Sequence, residues 1–133
     1  CEGILHEYGG RRFAPIGRYA GSCLRRCVRP DGSPSQTEFR VLFRFKETRR
    51  TLLSLRLQTG RTHQIRVHLA HIGHPVTGDA LYGAPCPLLP DRFALHAWRA
   101  ALTQPFTGAR IDVRAPLPEG FAALAHQCGE GTL

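Results

Sequence analysis

The stretch Leu57 to Gly83, LQTGRTHQIRVHLAHIGHPVTGDALYG, decides the fold. It begins at the end of a segment in which apolar and polar residues alternate, and Gly60 then marks a turn. In the run that follows, Ile65, Leu69 and Ile72 recur at spacings of four and three residues. Apolar residues at this spacing share one face of a helix. The stretch therefore predicts a strand end, a tight turn and an amphipathic helix.

Signals at both ends limit this helix. Thr62 precedes the periodic run, and its hydroxyl can cap a helix N-terminus. Gly73 follows the run directly, where helices often end in a left-handed glycine. We therefore expect a helix that begins near Thr62 and ends at Gly73.

Two alternating segments precede the helix. One is Glu38–Phe45, EFRVLFRF, and the other is Thr51–Gln58, TLLSLRLQ, with the polar link 46–50 between them. Alternation of apolar and polar residues is typical of half-buried strands, and a short polar link favours a hairpin. The apolar faces are predicted to carry Phe39, Val41, Phe43 and Phe45 on the first strand, and Leu53, Leu55 and Leu57 on the second.

The remaining segments complete a mixed fold. Residues 1–36 read as an irregular basic lead-in with turn signals at Gly9-Gly10 and at 30–32. Residues 93–102 and 109–115 alternate as strands, and a terminal helix over 118–127 would bury Phe121, Leu124 and Ala125. We predict one α+β domain over 1–133, with a mixed, mainly antiparallel sheet and a central helix in residues 37–127.

The charge is uneven along the chain. Residues 1–66 hold fourteen basic and five acidic side chains, whereas 67–133 hold four and five. Seventeen of the eighteen basic residues are arginine, and guanidinium groups pair with phosphate through planar forks. The excess indicates either a nucleic-acid partner or the surface of a protein from an arginine-rich genome. The single lysine, Lys46, excludes a Gly-Lys-Ser/Thr phosphate loop.

The cysteines and the N-terminus indicate where the protein resides and whether the chain is part of a longer one. Five cysteines without a secretion signal favour reduced thiols, and the absence of a long apolar run predicts a cytoplasmic chain with no membrane partner. A chain that opens at Cys1 and holds no methionine is expected to be part of a longer protein.

Two arginines of the predicted helix require anionic neighbours. Arg61 lies at the helix N-terminus, where the dipole favours anions and an arginine suggests a phosphate or carboxylate ligand. Arg66 flanks the apolar face, where a buried carboxylate would hold it best, although it could also reach water or pair with a structural acid.

The motif TGRTHQIRVHLAHIGHPVTGDALYG closely resembles the RluA-type family of RNA pseudouridine synthases. The strands FRVLFRF and LLSLRLQ, the segment Pro15–Arg18, and the downstream 95–97 and 115–118 also match. The resemblance runs from about Gly3 to about Phe121 and implies the catalytic fold of that family.

The resemblance implies an isomerase that converts uridine to pseudouridine in structured rRNA or tRNA, with no cofactor and no metal. The family's aspartate nucleophile lies in a segment similar to H-R-L-D-R, which these residues do not contain. Asp79 matches a position that we interpret as structural. We therefore expect the C-terminal part of a catalytic domain, inactive by itself and completed by a missing N-terminal part of the same domain.

The resemblance also assigns site residues. Arg66 matches the arginine that pairs with the nucleophile, and Leu95 matches an apolar residue near the base. The RNA or uridine is expected to approach Arg61, Thr62, His63 and Gln64. Phe39 stands where the family often has tyrosine, so a hydrogen bond made there by the hydroxyl is not expected here.

Three alternatives remain open from the residues alone. His68, His71 and His74, or the pair Cys23 and Cys27, could bind zinc, although the spacing fits no finger and we predict no metal. Cys86 could be a nucleophile, but it lies between prolines with no helix start to activate it. The third alternative is an RNA-binding module without catalysis.

Overall fold

The computed structural model describes residues 1–127 of the chain. It divides into two compact units, one over Cys1–Ala94 and the other from Leu95 onward. The α+β class and antiparallel pairing predicted from the sequence are confirmed. The predicted reduced thiol of Cys128 lies outside the described residues.

The first unit is built on a three-stranded antiparallel sheet. The strands β1 (Gly9–Phe13), β4 (Gln36–Phe45) and β5 (Arg50–Leu57) lie in the order β1-β4-β5. The predicted hairpin between the two alternating segments is confirmed as β4 and β5.

The prediction of a turn at Gly9-Gly10 was wrong. Both glycines lie in β1, where they pair with Arg40 and Phe39 of β4. A Cβ on Gly9 would lie 2.9 Å from the Phe39 carbonyl oxygen, and one on Gly10 would lie 3.2 Å from the Phe39 ring. The glycines are there because the strand passes close over Phe39, and the sheet therefore extends into the lead-in.

A bulge interrupts the predicted alternation of β4. Val41 pairs with Leu53, but Phe43 pairs with Leu52, so Leu42 is an extra residue in the ladder. Phe39 and Phe45 are buried as predicted, whereas Phe43 is 45% exposed. The register shift explains why a simple period of two did not describe the whole strand.

A second, two-stranded sheet lies within the lead-in. The strands β2 (Ile16–Arg18) and β3 (Arg26–Val28) pair antiparallel. Ser33 exchanges backbone hydrogen bonds with Ile16 at 3.0 and 2.8 Å, so the chain after β3 closes against β2.

The helix α1 covers Gln64–His71, and Gly73 follows it with a φ of 80°, in the left-handed conformation expected for its stop. The predicted cap was wrong, because His63, not Thr62, is the N-cap and no side chain caps the helix. The helix buries Val67, His68 and Leu69 together with Gln64, while the predicted face residues Ile65 and Ile72 are only partly buried. Polar side chains with internal partners therefore occupy part of the buried face.

The segment after α1 contains turns but no helix or strand up to residue 98, although a strand was predicted to begin at residue 93. It is nevertheless well packed in the first unit, because Val76, Thr77, Asp79 and Leu89 are all buried. Neither helix within residues 1–127 is long and apolar enough to cross a bilayer.

The second unit contains a hairpin and a helix. The strands β6 (Arg99–Thr103) and β7 (Arg110–Arg114) pair antiparallel, and α2 covers Glu119–Gln127. Leu124 and Ala125 are buried as predicted, whereas Phe121 is partly buried. The first of the two strands begins later than the predicted residue 93.

Candidate active site

The turn before α1 is held by the side chain of Gln64, which is 3% exposed. Its Oε1 accepts hydrogen bonds from Thr59 Oγ1 at 2.8 Å and from the Arg61 amide at 3.0 Å. Its Nε2 donates to Gln36 O at 2.9 Å and to Thr37 Oγ1 at 3.0 Å. All four hydrogen-bonding positions of the amide are used, so Gln64 fixes the turn to β4 and does not face the solvent where RNA was expected to approach.

His63 connects this turn to the loop after the helix. It has a φ of 57°, a left-handed conformation uncommon outside glycine, and its Nδ1 lies 2.8 Å from the Tyr82 hydroxyl. Burial lowers the pKa of His63, and the positive charges of Arg66 and Arg26 lower it further. The ring is therefore neutral at neutral pH.

Arg66 forms a two-bond ion pair with Asp79. Its Nε donates to Asp79 Oδ2 at 2.7 Å and its Nη2 donates to Oδ1 at 2.8 Å. The Asp79 side chain is fully buried, and its Oδ1 also accepts the amides of Leu81 and Tyr82 at 3.1 and 3.3 Å. Planar pairing of this kind fixes the orientation of a guanidinium as well as its charge.

The pair shifts both ionisations toward the charged forms. Burial alone would raise the pKa of the Asp79 carboxyl, but the hydrogen bonds and charge of Arg66 outweigh it and lower the pKa. The hydrogen bond to Asp79 likewise raises the pKa of Arg66. The ion pair thus persists over the whole physiological pH range.

Two aromatic rings hold the Arg66 guanidinium from other directions. Its central carbon lies 4.4 Å from the Phe93 ring centre and 5.0 Å from that of Tyr82. Its Nη1 donates no hydrogen bond to any residue within 1–127. The guanidinium is therefore immobilised, with one nitrogen left for a further acceptor.

A cavity of about 370 Å³, here called the Arg66 cavity, opens beside this group. Its lining combines His63, Arg66 and Asp79 with the apolar side chains of Leu24, Leu89 and Phe93. Volumes of this size and mixed linings are typical of small-ligand sites. The cavity can take a flat polar ring against its apolar wall, beside a fixed cation.

The predicted site residues do not all meet at this cavity. Arg66 and His63 line it, whereas Arg61 and Thr62 line a separate cavity of about 200 Å³. Leu95 belongs to the second unit and is partly buried, so its contact with a base stays a prediction.

The sequence reasoning interpreted Asp79 as structural but did not predict that Asp79, Tyr82 and Phe93 contact Arg66. Asp79, Tyr82 and Phe93 follow α1 in a loop, where no periodicity predicts which side chains meet. One signal was available for Asp79. An arginine at the rim of a core needs a carboxylate, and Asp79 follows Arg66 closely in sequence.

Two of the three histidines considered as metal ligands, His68 and His74, have other partners. His68 is buried, with Nδ1 2.9 Å from Thr37 Oγ1 and Nε2 2.9 Å from Ala14 O. His74 Nδ1 lies 2.9 Å from Glu2 O. Within residues 1–127, no three His, Cys, Asp or Glu side chains are grouped so that they could hold a metal ion.

Comparison of this sequence with known proteins finds RNA pseudouridine synthases. The family model described as RNA pseudouridylate synthase matches residues 17–71, which include β4, β5 and α1. The ribosomal large subunit pseudouridine synthase D of Nitrosomonas europaea is 48% identical over 126 residues, which are 89% of this chain and 36% of that protein. The chain belongs to the RluA-type RNA pseudouridine synthase family.

Other members of the synthase family are similar to this chain in sequence and in structure. An uncharacterized RNA pseudouridine synthase of Bacillus subtilis, YhcT, is 46% identical over 93% of this chain and 41% of its own length. The structure of human RNA pseudouridylate synthase domain containing 1 superposes with a TM-score of 0.74 at 30% identity, covering 88% of this chain and 51% of that one. The chain thus spans about two fifths of the curated synthases that it matches.

Proposed function

We propose that this chain supplies the arginine half of a pseudouridine synthase active site, which isomerises uridine in rRNA or tRNA. The observation that carries the proposal is the immobilised Arg66, paired with Asp79 at the wall of a cavity. The family acts on RNA, and the match includes the helix that carries Arg66. A setting in the cytoplasm is part of the same proposal.

The nucleophile in this proposal is an aspartate outside these 133 residues. Asp79 is unsuited to attack a sugar or a base, because it is fully buried and both of its oxygens are committed to Arg66. Residues 1–133 contain no segment similar to H-R-L-D-R. The attacking carboxylate would therefore come from the missing N-terminal part of the domain.

Arg66 would hold that second carboxylate through Nη1. Asp79 occupies Nε and one position of Nη2, so the guanidinium is already aimed when the nucleophile arrives. A cation at contact distance keeps a carboxylate ionised and fixes its direction. Asp79 would then act as a positioning residue, because it contacts Arg66 and not the reacting atoms.

The Arg66 cavity would receive the uracil of a flipped nucleotide. Enzymes that act on a base draw it out of its stack into a pocket that contacts both its face and its polar edge. Here Leu24, Leu89 and Phe93 would meet the face, while Arg66 lies at the polar end. The reaction breaks the bond from the sugar to N1 of uracil and forms one to C5. The C5 hydrogen leaves to water and N1 gains a proton, so the formula is unchanged and no cofactor is needed.

Comparison of two proteins tests this proposal. One is the 133-residue chain, and the other is a longer protein that adds the segment with the H-R-L-D-like motif. Each is incubated with RNA labelled with tritium at uridine C5, since forming the new carbon bond there releases tritium to water. We expect release from the longer protein and none from the chain alone. Release from the chain alone would contradict the assignment of the nucleophile.

A non-catalytic RNA-binding module is the second candidate. It is favoured by the arginine excess of residues 1–66 together with the absence of the nucleophile motif from these 133 residues. RNA binding by a longer protein that releases no tritium would favour this candidate over the synthase.

A further inference from the structure

The smaller cavity, of about 200 Å³, is lined by three arginines and is here called the arginine cavity. Arg18 comes from the end of β2, Arg26 from the start of β3, and Arg61 from the turn before α1. The rest of the lining is Ile16, Gly17, Ser33 and Thr62. Three separate segments of the first unit thus each contribute an arginine to one cavity.

No carboxylate neutralises these arginines. The lining contains no acidic residue, and none of Arg18, Arg26 and Arg61 forms an ion pair within residues 1–127. Elsewhere the structure pairs six arginines with acids, namely Arg11, Arg12, Arg29, Arg50, Arg66 and Arg99. Grouping three like charges without an acid is unfavourable unless an anion binds among them.

Two of the three arginine side chains are also held by backbone carbonyls before any ligand arrives. Arg61 Nε donates to Pro34 O at 3.2 Å, and Arg26 Nη1 lies 3.2 Å from Cys23 O. The Arg18 carbonyl accepts a hydrogen bond from Arg29 Nη1 at 3.1 Å, which fixes the end of β2. These bonds leave other N–H groups of Arg26 and Arg61 available and lower the entropy cost of binding.

The start of α1 adds to the positive potential. The helix has no acidic residue in its first turn and no side-chain cap, and Thr62 lines the arginine cavity two residues before it begins. A helix N-terminus carries a partial positive charge and favours anions. The helix and the three arginines thus favour the same kind of ligand.

The arginine cavity and the Arg66 cavity are joined by short contacts. Thr62 lines the first and the adjacent His63 lines the second. The backbone N–H of Arg26 donates to the Tyr82 hydroxyl at 2.9 Å, and the Tyr82 ring lies against Arg66. The residues that line the two cavities are therefore neighbours in the first unit.

We propose that Arg18, Arg26 and Arg61 bind the backbone phosphates of the RNA next to the uridine that enters the Arg66 cavity. Arginine forks match phosphate oxygens, and most hydrogen bonds to nucleic acids go to the backbone. This subsite positions the strand and carries no sequence preference. The inference rests on the proposed RNA substrate but not on catalysis by this chain.

Binding of a labelled single-stranded oligoribonucleotide to the full chain, followed by fluorescence anisotropy, tests the subsite. The site variant combines Arg18→Gln, Arg26→Gln and Arg61→Gln. The control combines Arg40→Gln, Arg56→Gln and Arg110→Gln, three exposed arginines without an ion pair in the described residues, and it removes the same charge. Circular dichroism establishes that each variant folds, and the double variant Arg18→Gln/Arg61→Gln replaces the triple one if loss of Arg26 prevents folding.

We expect the site variant to bind RNA roughly tenfold more weakly than the wild type, and by the same factor for RNAs of different sequence. The control variant should lose much less RNA affinity than the site variant. The slope of log affinity against log salt should fall by about 2 for three lost contacts to a single strand. Equal losses in site variant and control, or no RNA binding by the wild-type chain, would overturn the subsite. Displacement of the RNA by polyglutamate as readily as by polyuridylate would assign the cavity to an acidic protein and overturn it too.

The outcomes separate this inference from the proposed function. If the site variant alone loses RNA binding while the longer protein releases no tritium, the subsite stands and the synthase proposal fails. If tritium is released but the two variants bind RNA alike, the synthase proposal stands and the subsite fails.

Discussion

Arg66 and Asp79, thirteen residues apart in the chain, donate and accept two hydrogen bonds of 2.7 and 2.8 Å across the loop that follows α1. The carboxylate is fully buried, whereas the arginine side chain is 14% exposed at the cavity. The buried partner is therefore the structural one, and the arginine is the member that can meet a ligand.

Asp79→Asn should destabilise the first unit strongly. The substitution removes the charge that compensates Arg66, and breaking a buried pair costs about 3–5 kcal/mol. Urea unfolding of the chain measures the loss. Glu38→Gln is the matched control, because its partner Arg11 is 64% exposed and a surface pair contributes about 1 kcal/mol or less. Equal losses in the two variants would show that Asp79 holds no buried charge.

Stability should fall as the pH drops below about 6.5, the ordinary pKa of histidine. Burial lowers the pKa of His68, and the Ala14 carbonyl opposes this only in part. Because the folded pKa lies below the unfolded one, the unfolded chain binds the proton first. The stabilising contribution is thus complete above about pH 6.5 and is lost as the pH falls toward the folded value.

Unfolding free energies measured in steps from pH 7.5 to 5.0 check this prediction. His68→Gln should flatten the decline below about pH 6.5, with one proton accounting for at most about 1.4 kcal/mol per pH unit. A slope that His68→Gln does not change would contradict a neutral buried ring.

Tyr82→Phe should loosen the junction between the two cavities. The hydroxyl meets His63 Nδ1 at 2.8 Å and accepts the Arg26 amide at 2.9 Å, while the ring lies against Arg66. Phenylalanine keeps the ring but leaves a partly buried donor unsatisfied, a loss of about 1–3 kcal/mol. Tyr8→Phe, at an 82% exposed ring, is the control and should unfold like wild type. An unchanged unfolding midpoint for Tyr82→Phe would contradict this role.

Gly32→Ala should disturb the backbone that closes against β2. A Cβ at Gly32 would lie 2.6 Å from the Ile16 carbonyl carbon and 2.9 Å from the Gly17 amide nitrogen. Backbone atoms cannot move aside cheaply, so we expect a loss of about 1–3 kcal/mol, as for overpacking. Gly60→Ala, where a Cβ would meet nothing within 4 Å, should change stability by about 0.5 kcal/mol or less. Thermal unfolding of the two variants compares them directly, and similar melting temperatures would contradict the close approach.

Local sequence patterns were sufficient to predict the strands and helices that show a clear periodicity of apolar residues. The hairpin of β4 and β5, the helix α1 with its stop at Gly73, and the hairpin of β6 and β7 follow from alternation, helical spacing and glycine. These features depend on residues close in sequence, so a single sequence contains the information.

Features that depend on contacts between distant residues were missed. Gly9 and Gly10 were assigned to a turn because glycine usually marks one, whereas here they permit β1 to pass over Phe39. The bulge at Leu42 depends on the pairing with β5 and leaves no mark on periodicity.

Only part of the candidate site could be predicted, because its contacts also join residues that are distant in sequence. The resemblance identified Arg66, but its partner Asp79 lies on an irregular loop and was interpreted only as structural. The resemblance placed Gln64 where the RNA approaches, and that assignment stays a prediction. The buried contacts of Gln64 with Thr59, Gln36 and Thr37 come from three other positions in the fold.

The most direct test of the account is the effect of Arg66→Lys on tritium release by the longer protein that includes the H-R-L-D-like segment. Lysine keeps the charge but cannot hold two carboxylates in a planar fork. We expect kcat to fall by about a hundredfold, the cost of a misplaced reacting group, while the Kd for RNA stays within about threefold. Arg56→Lys is the control and should leave both values unchanged. A loss of RNA affinity as large as the loss of kcat would contradict the account, because Arg66 would then be a phosphate contact and not the holder of the nucleophile.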